Sequence, residues 1–200
     1  MKKNRHKLFE DYSFEISGEA KAHRKFFIEN REKVFKEFSV FFPKEIMTEK
    51  EISEINNLRK NTENKFILSI YILKGNRKIG WFIGEQKDEE TFYMRNTGIF
   101  PEYQGLNIYK HFLPRLLIIL KEKGFQKITS SHSVTNNRII IAKLKAGFII
   151  TGFEISDMFG LMVNLTFFFN DVRKKVMKFR TGEIRPDAEI KRLLKFSKTR

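Results

Sequence analysis

The chain has 200 residues, 41% of them hydrophobic, which is enough for one sizeable core and short for two. It contains no cysteine, which excludes disulfides, thiolate metal sites and a cysteine nucleophile, and its four histidines (His6, His23, His111, His132) lack the spacing of a metal site. The formal net charge is +15, with 11 Lys and Arg against 4 Asp and Glu in residues 171–200, a field that favours polyanions and anionic cofactors; a general bias toward Lys, Ile, Asn and Phe is the alternative source of that charge.

In chain order, the basic start (Lys2, Lys3, Arg5, Lys7) is not followed by the apolar run of a signal peptide. No later run is apolar enough to span a membrane, so a soluble, cytoplasmic protein is expected. Asp11 to Ser17 alternates Tyr12, Phe14 and Ile16 with polar neighbours and predicts a strand. Lys21 to Phe42 places Phe26, Phe27, Val34, Phe35, Phe38 and Phe41 near helical spacing, and Pro43 stops the run. Those phenylalanines, with Phe42, fit either a core or an apolar acceptor or acyl pocket. Thr48-Glu49-Lys50-Glu51 is a capping box opening a second helix that ends near Lys60. Lys65 to Leu73 and Lys78 to Gln86 read as strands joined by a Gly75-Asn76 hairpin turn, and Thr91 to Phe100 as a third meander strand. Tyr109 to Lys123 reads as a helix capped by Gly124, with Pro114 removing one hydrogen bond unless it lies in the first turn. Gln126 to Ser131 is a short strand and Asn136 to Lys145 a helix ended by Gly147. Phe148 to Ile155 and Leu161 to Phe169 close the sheet. The run Phe167-Phe168-Phe169 fits either a partner subunit, as in a homodimer, or a strand buried on both faces. From Asp171 onward, Val176, Phe179, Ile184, Ile190, Leu193, Leu194 and Phe196 suggest helical or irregular cover. A helix crossing between strands in this order makes a mixed α/β sheet with its parallel pair in the middle.

The stretch from Gly98 to Lys110 has a distinct chemistry, because a strand meets Pro101, a polar loop and a helix start. The first N–H groups of a helix have no partner within it and the peptide dipoles add positive charge, so this turn can hold an anion. This element order resembles the GNAT superfamily of N-acetyltransferases, which use acetyl-coenzyme A. Two motifs carry the likeness. Pro101-Glu102-Tyr103-Gln104-Gly105-Leu106-Asn107-Ile108-Tyr109 is similar to the family's pyrophosphate loop, and Asn136-Asn137-Arg138 through Ala146-Gly147-Phe148 is similar to its Asn…Gly-Phe helix.

The resemblance implies a mixed, mostly antiparallel sheet with a splayed parallel strand pair and helices on both faces. It implies one acetyltransferase domain over residues 1–170 with a basic extension over 171–200. It implies acetyl-CoA as the cosubstrate, with backbone at Ile99 and Phe100 meeting the pantetheine amides. Gln104, Gly105, Leu106, Asn107, Ile108, Tyr109 and Lys110 would meet the phosphates, with Asn136 as a further cofactor contact. Asn107 and Tyr109 depart from the usual Gly and Gly/Ala, asparagine being the non-glycine residue that best tolerates positive φ. The tyrosine that many members place four residues before Gly-Phe to protonate the thiolate is Lys143 here, able to donate a proton, bind phosphate or face solvent. His132 is the candidate base, the alternative being a surface histidine. Glu102 reads as a solvated loop residue, and Glu85 and Tyr93 as candidate acceptor-cleft residues. The acceptor implied is an amine. Two other readings remain: a basic protein acting on charged RNA through its tail, and a coenzyme A-binding module without turnover.

Overall fold

A computed structural model describes residues 5–35, 45–61 and 64–195. Eight strands form one sheet in the order β1-β2-β3-β4-β5-β6-β8-β7. They are β1 (Arg5–Phe9), β2 (Tyr12–Ile16), β3 (Ile67–Lys74), β4 (Arg77–Gln86), β5 (Thr91–Ile99), β6 (Lys127–Ser133), β7 (Ile149–Ser156) and β8 (Gly160–Phe168). Every pairing is antiparallel except β5 with β6, so the fold is the mixed, mostly antiparallel sheet expected. The first strand was not foreseen, because Arg5-His6-Lys7 reads as a basic terminus; it is an edge strand whose charged side chains stay in solvent.

Among the described residues six α-helices accompany the sheet: α1 (Ala20–Val34), α2 (Glu49–Lys60), α3 (Ile108–Glu122), α4 (Asn137–Lys145), α5 (Asp171–Arg180) and α6 (Ala188–Leu193). The expected continuation of α1 through Phe38, Phe41, Phe42 and Pro43 lies outside the described residues, as does Phe196. The Thr48 capping box forms, with Thr48 Oγ1 accepting from the Glu51 amide while Glu51 accepts from the Thr48 amide. The β3–β4 turn is the two-residue Gly75-Asn76 hairpin, with φ of 51° at Gly75. Helix α3 begins at Ile108, which puts Pro114 in its interior rather than its first turn, so the carbonyl one turn earlier, at Lys110, loses its bond.

Strand alternation settles which helix covers which face. Phe112 of α3 packs edge-on against Phe14 and at a tilt against Phe82, with ring centroids 5.5 and 5.8 Å away. Phe26 and Phe27 of α1 pack edge-on against Tyr71 and Trp81 at 5.4 and 5.6 Å. Trp81 and Phe82 are neighbours in β4 and point opposite ways, so α3 and α1 lie on opposite faces. The main core sits under α3, with Leu113, Leu116 and Leu120 on Phe92, Ile128 and Leu165. The other face is aromatic and rests on glycine: a Cβ at Gly98 would fall within the Trp81 indole ring, so only glycine lets that ring lie flat on β5.

Phe168 is buried and Phe167 packs on Phe148 and Phe169, the arrangement of a strand covered on both faces. Beyond it, α5 packs along β8. Arg173 donates two hydrogen bonds to Glu90, at 2.6 and 2.7 Å, and Lys127 reaches the same carboxylate at 2.8 Å. Lys175 pairs with Asp187 and Glu189 and Lys178 with Glu183, so two of the tail's basic side chains are matched within the tail. Ile190 of α6 is fully buried.

Candidate active site

Strands β5 and β6 pair over three positions only, Thr91 with Lys127, Phe92 with Ile128 and Tyr93 with Thr129. Beyond them β5 stays on β4 as far as Gly80–Ile99, and β6 stays on β8 as far as Ser133–Met162. The sheet therefore opens between them, and the opening is a cavity of about 630 Å³. Its walls include Tyr93, Asn96 and Thr97 of β5, His132 of β6, and Asn136 and Lys143 from the start and end of α4.

The backbone along the gap follows from the pairing. The Phe100 amide donates to the Ile79 carbonyl at 2.9 Å, which turns Phe100 and Gly98 toward β4. Alternation turns the peptide groups of Thr97 and Ile99 into the gap. The Ile99 carbonyl already accepts from Gln104 Nε2 at 2.9 Å. Of the two positions expected to offer free backbone, Phe100 is thus engaged with β4, and Thr97 takes its place beside Ile99.

At the end of β5 the chain makes a 3₁₀ turn over Pro101–Tyr103 and then two left-handed steps, Gly105 at φ 84° and Asn107 at φ 59°. Asn107 is the N-cap of α3 and makes no side-chain capping bond. The first-turn amides of Ile108, Tyr109 and Lys110 therefore face an open, electropositive end. Arg138 of α4 adds a cation that sequence reading passed over: its Nη1 donates to Gln104 Oε1 at 3.4 Å, beside Gly105. Leu106 and Lys110 are exposed at this loop, while Tyr109 turns inward to line the cavity, where burial pushes its phenol well above the ordinary range. Asn136 Oδ1 accepts from the Ile139 amide and caps α4, so this asparagine both starts the helix and borders the cavity.

Lys143 is fully buried at the back of the gap. Its ammonium meets Met94 Sδ at 3.6 Å and stands 5.1 Å from the Phe148 ring centre, with no carboxylate partner among the described residues. Burial lowers its pKa from 10.5 to about 7. His132 lies half-buried in β6, its Nε2 3.2 Å from Ser130 Oγ, and burial followed by the charge of Lys143 lowers its pKa to about 3. The imidazole is therefore neutral at any ordinary pH. The structure brings Lys143, His132, Tyr109 and Asn136 to one cavity.

On the other side of the gap Ser131 Oγ donates to Asn164 Oδ1 at 2.5 Å, and Asn164 Nδ2 donates to Glu154 Oε2 at 3.4 Å. Glu154 and Ser131 line the cavity, a cross-strand grouping that needs the β6–β8–β7 registers to be seen. Tyr93 lines it too, whereas Glu85 is paired with Arg95 at 3.1 Å and Glu102 lies near Arg77 at 3.7 Å in solvent. Phe27 and Phe35 border the cavity from the α1 side while packing on Trp81, so the core and pocket readings both hold for them.

No family model matches the sequence. Over 70 residues the chain is 36% identical to the [ribosomal protein bS18]-alanine N-acetyltransferase of Haemophilus influenzae; that match covers 34% of this chain and about half, 47%, of the relative. Among solved structures, ribosomal-protein-S5-alanine acetyltransferase from Vibrio fischeri superposes with a TM-score of 0.58 at 13% identity, covering 84% of this chain and 97% of the other. A GNAT family acetyltransferase from Elizabethkingia anophelis with acetyl-CoA bound gives 0.54 at 13% identity, covering 80% of this chain and all of the other, 100%. The fold is that of these GNAT acetyltransferase structures.

Proposed function

We propose that this protein is an acetyl-CoA-dependent N-acetyltransferase that acts on a primary amine of a small molecule, peptide or protein by direct attack in a ternary complex. The observation that carries the reading is the opened β5–β6 pair, with an uncapped helix start at one end and the buried Lys143 at its back. The residues fit the cosubstrate. The amides of Leu106 to Lys110 and the Arg138 guanidinium suit a pyrophosphate, and the gap-facing peptide groups of Thr97 and Ile99 suit the amides of the pantetheine arm.

When bound, the cosubstrate supplies a thioester carbonyl: the amine nitrogen forms the new C–N bond, the C–S bond breaks, and the thiolate requires a proton. Lys143, with a pKa near 7, is the acid in this reading, and its charge also stabilises sulfur as negative charge develops there. His132 is too weakly basic to take the proton of the amine; it holds Ser130 and lines the wall beside Lys143 as a neutral ring. Glu154, oriented by Asn164 and Ser131, is a carboxylate on the cavity wall through which that proton leaves by way of water.

Calorimetric titration with acetyl-CoA and thiol release against an amine panel test the proposal, and the absence of cysteine leaves the thiol assay free of protein background. Binding together with amine-dependent thiol release is expected, and no binding overturns it. Binding without release from any amine instead favours the non-catalytic coenzyme A module. The RNA reading rests on the basic tail, of which Arg173, Lys175 and Lys178 are matched by carboxylates; a steeply salt-dependent RNA affinity lost on removing residues 171–200 would support it.

A further inference from the structure

The two edges of the sheet are treated differently. At one edge β1 is short, carries Arg5 and Lys7 in solvent, and breaks register between Lys7 and Phe9, the usual devices that stop a strand from pairing with another chain. The other edge, β7, is eight residues long, and its outer half keeps regular register and carries a single charge, Glu154. Ile155 is 86% exposed and Phe153 is 65% exposed, and they project from the same face as their cross-strand partners Leu161 and Val163. Phe159, at the turn, and Leu161 are about half exposed. Together these side chains leave on the order of 400–500 Å² of apolar surface in water, the size of patch that marks an interaction site.

Charge identifies the occupant. A chain carrying +15 repels its own copy, yet no Lys or Arg occurs from Ala146 to Val172, in a sequence that holds 39 of them. The hairpin β7–β8 lies wholly within this cation-free segment. We propose that β7 is a homodimer edge, pairing antiparallel with β7 of a second copy about a two-fold axis. A self-pairing of this kind uses one patch on both subunits and closes, which accounts for an apolar edge that does not need blunting. Pairing centred on Phe153 places the two rings together and each Glu154 opposite the partner's Gly152; centring on Glu154 would oppose two carboxylates, so the first register holds. The two patches, with the newly paired strand backbones, bury about 1,200 Å², the lower range of stable interfaces. Glu154 and Phe159 belong both to this hairpin and to the cavity wall, so the second copy stands beside the mouth of the candidate site. The dimer itself does not depend on the acetyl-transfer reading.

Sedimentation velocity of the full chain tests it, with circular dichroism to follow folding. Wild type sediments as a dimer, and Ile155→Lys, at a position with almost no contacts to lose, weakens dimerisation by more than about a hundredfold with unchanged folding. Because the chain has no cysteine, Phe153→Cys reports only on its own neighbour, and it cross-links under mild oxidation while Lys7→Cys at the opposite edge does not. A monomeric wild type, or a dimer that survives both Ile155→Lys and Phe153→Lys, overturns the proposal.

Discussion

Replacing Lys143 with methionine gives a stability change whose sign and pH dependence are fixed by the structure. The ammonium lies in a fully buried position against Met94 and Phe148 without a counter-charge among the described residues, and its pKa falls from 10.5 to about 7. At about 1.4 kcal/mol per pH unit, that difference disfavours the charged form in the folded state by about 5 kcal/mol. Between pH 7 and 10.5 the unfolded chain binds the proton that the folded chain has released, so wild-type stability rises with pH across that window; below pH 7 both states are charged and this contribution is flat. Methionine has similar length and no charge, so the variant lacks the slope. Lys143→Met is expected to be more stable than wild type at pH 7, with the advantage shrinking by about 2.3 kcal/mol by pH 9. His132, with its pKa near 3, stays neutral throughout and does not contribute. Urea unfolding followed by the single tryptophan, the buried Trp81, measures this directly. A stability difference that does not change between pH 7 and 9 would refute the buried, unpaired ammonium. In the thiol-release assay the same variant is expected to lose most activity together with the alkaline limb of the kcat profile, the limb on which an acid of pKa near 7 gives up its proton.

Four other changes probe the rest of the molecule. Asn107→Val forces a β-branched residue to φ 59° and is expected to weaken acetyl-CoA binding about tenfold by calorimetry, while Asn107→Gly binds at least as tightly as wild type. Gly98→Ala drives a methyl group into the Trp81 ring and is expected to cost about 1–3 kcal/mol in urea unfolding, with a red-shifted tryptophan emission. Glu90, held by Arg173 and Lys127 at a pKa of about 2 against an ordinary 4.5, contributes stability that is present above pH 4.5 and lost as pH falls toward 2; Glu90→Gln lowers the thermal midpoint at pH 7 and removes that acid dependence. His132→Asn leaves kcat within about fivefold of wild type and its pH profile unmoved, and a loss of a hundredfold or more would return the imidazole to the catalytic role.

Much of this was legible because local rules agreed with the tertiary outcome. Thr48 and Glu51 cap α2 whatever packs above them, Gly75-Asn76 fits only a tight hairpin, and Asn107 takes the left-handed step that its type best tolerates. Strand β1 was missed because an edge strand with Arg5 and Lys7 outward looks like a solvated terminus. The burial of Lys143 did leave a trace: it stands three and four residues after Ile140 and Ile139, on the inward side of α4, but three consecutive isoleucines blurred that face. The Ser131–Asn164–Glu154 chain had no local trace, since its members come from three strands and meet only through register.

The opened strand pair and the buried lysine also explain one another. Closing β5 onto β6 beyond Tyr93 would satisfy the peptide groups of Thr97 and the amide of Ile99, yet the folded chain holds the strands apart, with α4 and Lys143 behind the gap. Both features leave polar groups short of partners in one cavity, and each is a cost to the apo protein. A ligand with peptide-like amides along its length and an atom that becomes anionic at its end relieves both at once. A ligand bound in this way stabilises the folded state in proportion to the logarithm of its concentration over Kd, so the thermal midpoint should climb with added acetyl-CoA. That climb should be smaller in Asn107→Val, where the phosphate end is disturbed, and should persist in Lys143→Met, where only the far end of the cavity has changed.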